Sequence, residues 1–270
     1  MSSDISPRDG YLKTPTTTDA ATSFFDLWLS IKVAKLGKHV LFIFSERHRE
    51  WGKVIDELRD VVYSHYVAPE ITAKRLAELG APKTAKLIRE HLPTTKNARS
   101  GDLGEVLAAE FAERKLGFSV PVRRLRWKDG RNMALRGDDI VAIARDPGGR
   151  LRFLKGESKS RARLTSTVVN EAAGVLDRNR GRPTSHSVLF AADHLRDLGE
   201  DNLAKDLEEA VLGSFHACPV EHLLFTVSGN NPNATLSNHL SKCTNPRRRH
   251  VVGVYILNHG KFIERLFSEL

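Results

Sequence analysis

The chain has 270 residues, of which 40% are hydrophobic, and it carries 42 lysines and arginines against 33 aspartates and glutamates, a formal charge of +9. This composition supports a sizeable folded core, whereas the longest apolar runs are too short to span a bilayer, so we expect no membrane partner. Two cysteines argue against a disulfide framework and favour a reducing, cytoplasmic location. The positive charge favours a polyanionic partner; the plain alternative is a basic surface that only keeps the protein soluble.

The first part of the chain predicts a tail followed by a mainly helical region. Residues 1–22 are rich in Ser, Thr, Asp and Pro, which is typical of a disordered tail. Within 23–96, the apolar spacing predicts a helix over 24–36, a strand over 40–44, a helix over 51–63, and two short helices between 69 and 92. Residues 92–97 then predict a linker into a second domain over 97–270.

A further helix is predicted over 100–113. Ser100 is placed to cap it, Asp102 favours its first turn, and apolar residues recur at helical spacing from Leu103 to Phe111. Glu105 lies near that first turn, from where its carboxylate could reach over a neighbouring sheet and ligate a metal. The alternative is that Glu105 only complements the helix dipole.

Basic residues cluster around Trp127. The cluster comprises Arg123, Arg124, Arg126, Lys128 and Arg131, and smaller groups are Arg161 with Arg163 and Arg247 to Arg249. Such side chains position a nucleic-acid backbone without reading bases, so we predict phosphate-binding roles for Arg123, Arg124, Arg126, Lys128, Arg161 and Arg163. Trp127 itself is expected in packing rather than in base stacking.

The most informative stretch runs from Gly137 to Lys159. It contains Asp138-Asp139, the apolar run 140–143, the turn Asp146-Pro147-Gly148-Gly149, the apolar run 151–154 and Glu157-Ser158-Lys159. This order predicts an antiparallel hairpin in which an acidic residue at the start of the first strand faces the end of the second. Alternation then puts Glu157 and Lys159 on one face and Ser158 on the other.

The residue types of this hairpin indicate metal-dependent chemistry on phosphorus. Two converging carboxylates form a hard-oxygen site for Mg²⁺ or Mn²⁺, and a lysine beside that metal can position or activate a water. The alternative for Glu157 and Lys159 is an exposed ion pair at a strand end. A second Glu-x-Lys triplet, Glu113-Arg114-Lys115, lies in a helical pattern without an acidic strand before it and predicts a solvated helix end.

Two adjacent aspartates compete for one role. We favour Asp139 over Asp138 because Asp139 directly precedes the apolar run and shares the face of Val141 and Ile143, whereas Asp138 alternates away from that face.

The remainder of the chain predicts further helices and strands. They are helices over 166–177 and 185–212, the latter hinged near Gly199, strands over 222–228 and 250–258, and a last helix over 261–270. One rival site lies in this part: Cys218 with His222, and His239 with Cys243, have tolerable zinc-ligand spacings, although ordinary buried thiols and surface histidines account for them better.

The order of helix with Glu, strand with Asp, and strand ending in Glu-x-Lys resembles the PD-(D/E)xK nuclease superfamily. More narrowly, the segments 99–105 (RSGDLGE), 136–139 (RGDD) and 154–159 (LKGESK) are similar to the HamA family, the nuclease subunits of Hachiman antiphage defence systems. The resemblance implies an α/β fold with a PD-(D/E)xK restriction-endonuclease-like core, a mixed sheet flanked by helices, and an α-rich N-terminal part.

The same resemblance implies an activity and its residues. Glu105, Asp139, Glu157 and Lys159 would form the active site of a DNA nuclease, with the three carboxylates as ligands of Mg²⁺ or Mn²⁺. The implied partners are DNA and a helicase subunit of the same defence system, and the segment 23–66 is a candidate contact for it. Two alternatives stay open: a catalytically inactive nuclease-fold subunit that binds DNA or serves as a scaffold, and an interaction protein whose charge serves solubility.

Overall fold

The computed structural model describes residues 24–47 and 51–270, so the tail predicted over 1–22 lies outside the described residues. Within the described part, six strands form one sheet in the order β1-β2-β6-β5-β4-β3. The strands are β1 (Leu29–Leu36), β2 (His39–Glu46), β3 (Ile140–Arg145), β4 (Leu151–Arg161), β5 (Val220–Ser228) and β6 (Arg249–Tyr255). The four central strands are parallel, and β1 and β3 run antiparallel at the two edges.

Helices cover both faces of this sheet. They are α1 (Phe24–Trp28), α2 (Gly52–Tyr66), α3 (Pro69–Leu79), α4 (Ala81–His91), α5 (Lys96–Leu116), α6 (Ser166–Gly181), α7 (Ser185–Asp197), α8 (Asp201–Glu209), α9 (Asn233–Ser241) and α10 (His259–Ser268). The predicted fold class, a mixed sheet flanked by helices with a helix-rich N-terminal part, is confirmed.

Alternation along the strands separates the core into two layers. On one face α1, α2, α5 and α10 pack on the sheet around Phe111, which contacts Phe44 and Phe225 edge-on or tilted. On the other face α7 and α8 pack against Phe153 and Ile143, and α6 and α9 against Leu224. The sheet therefore lies between two helical layers. No helix of the described residues combines the length and the apolarity that crossing a bilayer requires.

The helix predicted over 24–36 is wrong beyond Trp28. That part of the chain instead forms β1, which turns at Gly37 and pairs with β2 from Leu29↔Glu46 to Leu36↔His39. Gly37 has a φ of +60°, a conformation that suits glycine in a tight turn. Pairing with β2 at the edge of the sheet, a contact between different segments, overrides the helical spacing of the apolar residues.

The start of the helix that carries Glu105 also differs from the prediction. It begins at Lys96, and Thr95 is its cap, with a side-chain oxygen that accepts a hydrogen bond from Ala98 N at 3.3 Å. Ser100 lies inside α5 and instead bonds to Ser160 Oγ at 2.8 Å. The boundary predicted between 96 and 97 thus falls inside α5, and the region 23–96 contributes β1 and β2 to the common sheet.

In the remaining chain the predicted elements agree closely with the structure. The strands β2, β5 and β6, the helices α2, α6 and α10, and the breaks near Gly80 and Gly199 lie where expected, within a few residues. Helix α9 was not predicted, because 233–241 follows a loop rich in Asn and Pro and has few apolar residues.

Candidate active site

The predicted hairpin forms the frame of the site. Strands β3 and β4 pair from Ile140↔Gly156 to Arg145↔Leu151, and Gly149 N donates to the carbonyl of Asp146 at 2.8 Å to close the turn. Because Ile140 pairs with Gly156, Asp139 lies level with Glu157 at the open end of the hairpin. Lys159 forms an ion pair with Glu157 Oε1, which confirms that these two side chains share a face.

Helix α5 lies directly on the end of β4. A Cβ atom built on Gly104 would come within 2.6 Å of Ser158 Oγ and 3.4 Å of Ser160 Cβ, so only glycine permits this approach. The bond from Ser100 to Ser160 holds the same two elements one turn earlier. Glu105 follows Gly104, and its carboxylate therefore reaches the level of Asp139.

Asp139 connects the helix to the hairpin. Its Oδ2 accepts a hydrogen bond of 3.0 Å from the backbone N–H of Ser158. Its carboxyl is close enough to Glu105 to raise the pKa of that residue, and it shares a hydrogen bond with the carboxyl of Glu157 that raises the pKa of Glu157. The structure thus brings Glu105, Asp139, Glu157 and Lys159 together from α5, β4 and the start of β3.

All three carboxyls of this group have raised pKa values. Burial is the largest cause for each, and the charge of Asp139 is the second cause for the other two: the pKa of Glu105 rises to about 8 and that of Glu157 to about 7. Burial also raises the pKa of Asp139, against the Ser158 N–H and the charge of Lys159. Buried carboxylates this close together repel one another when ionised, and a cation bound between them would relieve that repulsion and favour the ionised form.

Asp138 has a different environment. Its Oδ1 lies 3.4 Å from Lys155 Nζ and its Oδ2 accepts a hydrogen bond of 2.7 Å from Thr184 N, just before α7. Lys155 pairs with Val141 in the sheet register, so Asp138 does not alternate away from the Val141 face as predicted. Gly137, with a φ of +104°, bends the chain before the strand begins. Asp138 is thus bound to the scaffold, which leaves Asp139 as the acid nearest Glu105 and Glu157.

The carboxyls of Asp139, Glu157 and Glu105 fit magnesium better than a metal that must be enclosed by protein ligands on all sides. Among the residues that the structure describes, no three His, Cys, Asp or Glu side chains converge tightly enough to enclose a metal ion. Asp139 and Glu157 nevertheless form a contacting pair of carboxyls, with Glu105 beside Asp139. Mg²⁺ keeps several waters and is usually bound by one or two carboxylates, so this pair suffices for it.

A cavity of ≈ 310 Å³ adjoins this group, between α5, α7 and the segment 120–141. Glu105 and Asp139 lie on its wall, together with an aromatic and aliphatic lining and three arginines, Arg123, Arg124 and Arg136. This cavity was not predictable from the sequence, because its walls come from separate segments. Gly104 is the other feature missed; a glycine inside a helix, directly before a candidate acid, was the available signal.

Four of the residues predicted to bind phosphate are engaged within the fold. Arg123 pairs with Glu113 Oε2 at 2.6 Å, and Lys128 with Asp102 at 2.8 Å. Arg124 donates to the carbonyls of Asp138 and Arg136, and Arg126 donates to the carbonyl of Ser64. These contacts hold the four side chains in the fold, and their role in binding phosphate stays a prediction. Arg161, the last residue of β4, and Arg163, just beyond it, remain exposed.

The rival zinc site does not form. His222 Nε2 bonds to the carbonyl of Gly181 at 2.8 Å, and its other ring nitrogen lies 3.3 Å from Arg249 Nη2. His239 Nε2 lies 3.5 Å from the same guanidinium. A permanent cation between the two histidines excludes a metal at that position.

Comparison with known proteins places the chain in a family. A family model described as HamA matches residues 22–270. No curated protein matches the chain.

Proposed function

The chain belongs to the HamA family, and from that premise we propose that it is a metal-dependent DNA nuclease with a PD-(D/E)xK-type core, the effector of a Hachiman antiphage defence complex. Membership of the family is consistent with a role in this defence. The observation that carries the proposal is the junction of Glu105, Asp139 and Glu157 with Lys159, which joins helix and hairpin at one point.

Each residue has a distinct role in the proposed hydrolysis. Asp139 and Glu157 would hold the divalent cation, Mg²⁺ or Mn²⁺, and Glu105 would hold it directly or through water. A bound divalent cation neutralises charge on the phosphoryl oxygens and lowers the pKa of a coordinated water. Lys159 reaches Glu157 Oε1 and is placed to orient the water that attacks phosphorus. The Ser158 N–H holds Asp139 in position throughout.

DNA as the substrate is supported by family and charge together. The formal charge of +9 favours a polyanion. Of the predicted phosphate contacts, Arg161 and Arg163 suit this role best, since both are exposed and lie at the end of the strand that carries Glu157 and Lys159.

A helicase partner completes the proposal. A sequence-indifferent nuclease in the cytoplasm would attack the host genome, and we propose that a helicase subunit encoded beside this gene restrains it until that subunit engages DNA. Co-purification of the two subunits, with cleavage that begins only on helicase loading, supports this restraint. A free chain that is fully active and tolerated on overexpression refutes the restraint and leaves the active-site assignment standing.

One experiment separates the nuclease from a non-catalytic subunit of the same fold. Supercoiled and linear DNA are incubated with the chain and its helicase subunit in Mg²⁺ or in EDTA. Cleavage in Mg²⁺ that EDTA abolishes supports the nuclease. Salt-dependent DNA binding without cleavage under any of these conditions would identify the non-catalytic alternative.

A further inference from the structure

Glu105 and Asp139 do not lie on an open surface, because both line the cavity of ≈ 310 Å³ beside α5 and α7. We propose that this cavity takes one unpaired nucleotide, so that the substrate is single-stranded or frayed DNA rather than an intact duplex. The inference rests on the proposed function and deepens it, because it names the form of DNA whose phosphodiester reaches the carboxylates.

The cavity has the size and lining of a small-molecule site. Its volume falls at the lower end of the range of roughly 300–1,000 Å³ that such sites span. Apolar side chains form most of the wall: Val120, Val122, Leu125, Leu135, Ile140, Phe190 and Ala191. A planar base fits such a lining, and because Glu105 and Asp139 are part of the wall, the attached phosphate would lie near the proposed metal position.

An aromatic stack forms part of the wall. The Trp127 indole lies on the His194 ring with centroids 3.6 Å apart and planes inclined by 14°, and Phe190 contacts the same His194 ring edge-on at 4.4 Å. Trp127 remains 42% exposed although one face is covered. The three rings hold one another in position, so the indole is a rigid surface for a base to stack on.

One hydrogen-bond donor on the wall lacks a partner. Arg123 is held by Glu113 and Glu110 through Nη2, whereas its buried Nη1 has no hydrogen-bond partner among the described residues. A buried N–H without an acceptor costs free energy, and a base edge or a phosphate oxygen in the cavity would supply one. Arg123 thus retains part of its predicted DNA role, from inside the fold.

The bases of an intact duplex are stacked and paired in its interior. Enzymes that bind a base in a pocket must first remove it from the stack, which costs least where the strand is already single. A semi-enclosed cavity beside Glu105 and Asp139 therefore selects against duplex DNA and for free ends, gaps and unwound strands.

The test measures binding of a short labelled oligonucleotide in EDTA, single-stranded or annealed to its complement. We expect the wild-type chain to bind the single strand more tightly than the duplex. Trp127→Ala should lower the affinity for the single strand about tenfold without changing that for the duplex, and Trp127→Phe should recover much of the lost affinity. Met133→Ala is the matched control: Met133 is 60% exposed in the same loop and is not part of the cavity wall. It should leave both affinities unchanged.

A second variant guards against local unfolding at Trp127. Leu135→Trp fills the cavity from its loop side and should cause the same selective loss. Equal wild-type affinity for both DNA forms, or equal losses for both forms in the two variants, would overturn the inference. Cleavage in Mg²⁺ is measured separately. Selective binding of the single strand without cleavage would refute the proposed nuclease activity but not the cavity assignment. Cleavage of duplex DNA at the same rate as single-stranded DNA would refute the cavity assignment but not the nuclease activity.

Discussion

The backbone N–H of Ser158 donates a hydrogen bond of 3.0 Å to Oδ2 of Asp139. It joins the residue before β3 to the residue between Glu157 and Lys159. The hairpin backbone, rather than a mobile side chain, therefore sets the position of Asp139. This carboxyl shares a hydrogen bond with Glu157, and its charge also raises the pKa of Glu105.

Asp139→Asn is predicted to lower cleavage by at least about 100-fold, because it removes a metal ligand. The same change should leave the free energy of unfolding unchanged or higher, since burial, and to a smaller extent the charge of Asp138, raises the pKa of Asp139. Cleavage assays and urea unfolding at neutral pH measure the two effects.

Asp138→Asn is the neighbouring control and should behave in the opposite way. It leaves Lys155, which is 1% exposed, without its carboxylate, and we expect a loss of about 3 kcal/mol in unfolding free energy. Much of the cleavage should persist at temperatures where the variant is folded. Loss of cleavage in a folded Asp138→Asn, with activity retained in Asp139→Asn, would show that the aspartates are assigned in the wrong order.

Lys159→Ala and Glu157→Ala are each predicted to reduce cleavage by at least about 100-fold while the fold is preserved. The chain contains its own control in Glu113-Arg114-Lys115. Lys115 pairs with Asp26 at 2.9 Å in α1, away from the site, so Lys115→Ala should cut DNA at the wild-type rate. A Lys159→Ala variant as active as Lys115→Ala would refute the role of the lysine.

Gly104→Ala is predicted to impair both stability and cleavage. The new methyl group meets Ser158 Oγ at 2.6 Å and pushes α5 away from β4, which displaces Glu105 from Asp139. We expect a loss of about 1–3 kcal/mol, measured by thermal unfolding. Ser158→Ala in the same chain removes the clashing oxygen and should restore part of both properties.

Gly101→Ala is the control for this substitution. Gly101 lies in the same helix with nothing within 4 Å of its built Cβ, so alanine there should stabilise α5 by about 0.5–1 kcal/mol. If Gly104→Ala is as stable and as active as Gly101→Ala, the close approach of α5 to β4 is not required.

The sequence was sufficient to predict the hairpin and its acids, because their signals are local. The turn at 146–149, the alternation on both sides of it and the spacing from Asp139 to Glu157 all lie within one stretch of chain. The strand β1 and the close approach at Gly104 were not predictable in the same way. The close approach at Gly104 depends on Ser158, far along the chain. The partner of β1 is local, because β2 follows after a two-residue turn, but the spacing of the apolar residues in 29–36 predicts a helix, and the turn at Gly37 was missed.

The arginines of the 123–128 cluster also have partners that the sequence alone does not show. The sequence shows that basic residues cluster at 123–128, but it does not show which of them form hydrogen bonds or ion pairs with groups elsewhere in the chain. Glu113 holds Arg123 and the Ser64 carbonyl holds Arg126, so these side chains also serve the fold, which their clustering in the sequence did not show; their contact with DNA stays a prediction.

Arg161 and Arg163 are therefore the residues whose charge should matter for binding. Their joint replacement by alanine is predicted to weaken binding to all DNA sequences and to reduce the slope of log affinity against log salt by about one per lost phosphate contact. Lys83→Ala with Lys86→Ala, on exposed positions of α4, is the matched control. An equal slope in both double variants would place the interface elsewhere.

The contribution of His65 to the unfolding free energy is predicted to decrease as pH falls below 6.5. Burial lowers the pKa of His65 to about 4, against the hydrogen bond from its ring to Glu110, and the unfolded state therefore binds more protons between pH 6.5 and 4. This group alone accounts for about 3 kcal/mol over that window. At lower pH, between about 4.5 and 2, protonation of Glu110, whose pKa is about 2 in the folded state, removes its contribution to the unfolding free energy.

Urea unfolding at a series of pH values checks this dependence. The stability difference between the wild type and His65→Gln should shrink by about 3 kcal/mol as pH falls from 6.5 to 4, whereas His186→Gln, on an exposed side chain, should follow the wild type. Parallel curves for the wild type and His65→Gln over this window would contradict a neutral, buried His65.

The most direct test of the proposed active site is the rate of DNA cleavage in Mg²⁺ by the chain together with its helicase subunit, compared with the same complex carrying Lys159→Ala. We predict cleavage by the wild-type complex that EDTA abolishes, and a rate at least about 100-fold lower for the variant. Cleavage that persists in EDTA, or equal rates for the two complexes, would contradict the assignment of a metal-dependent nuclease to Glu105, Asp139, Glu157 and Lys159.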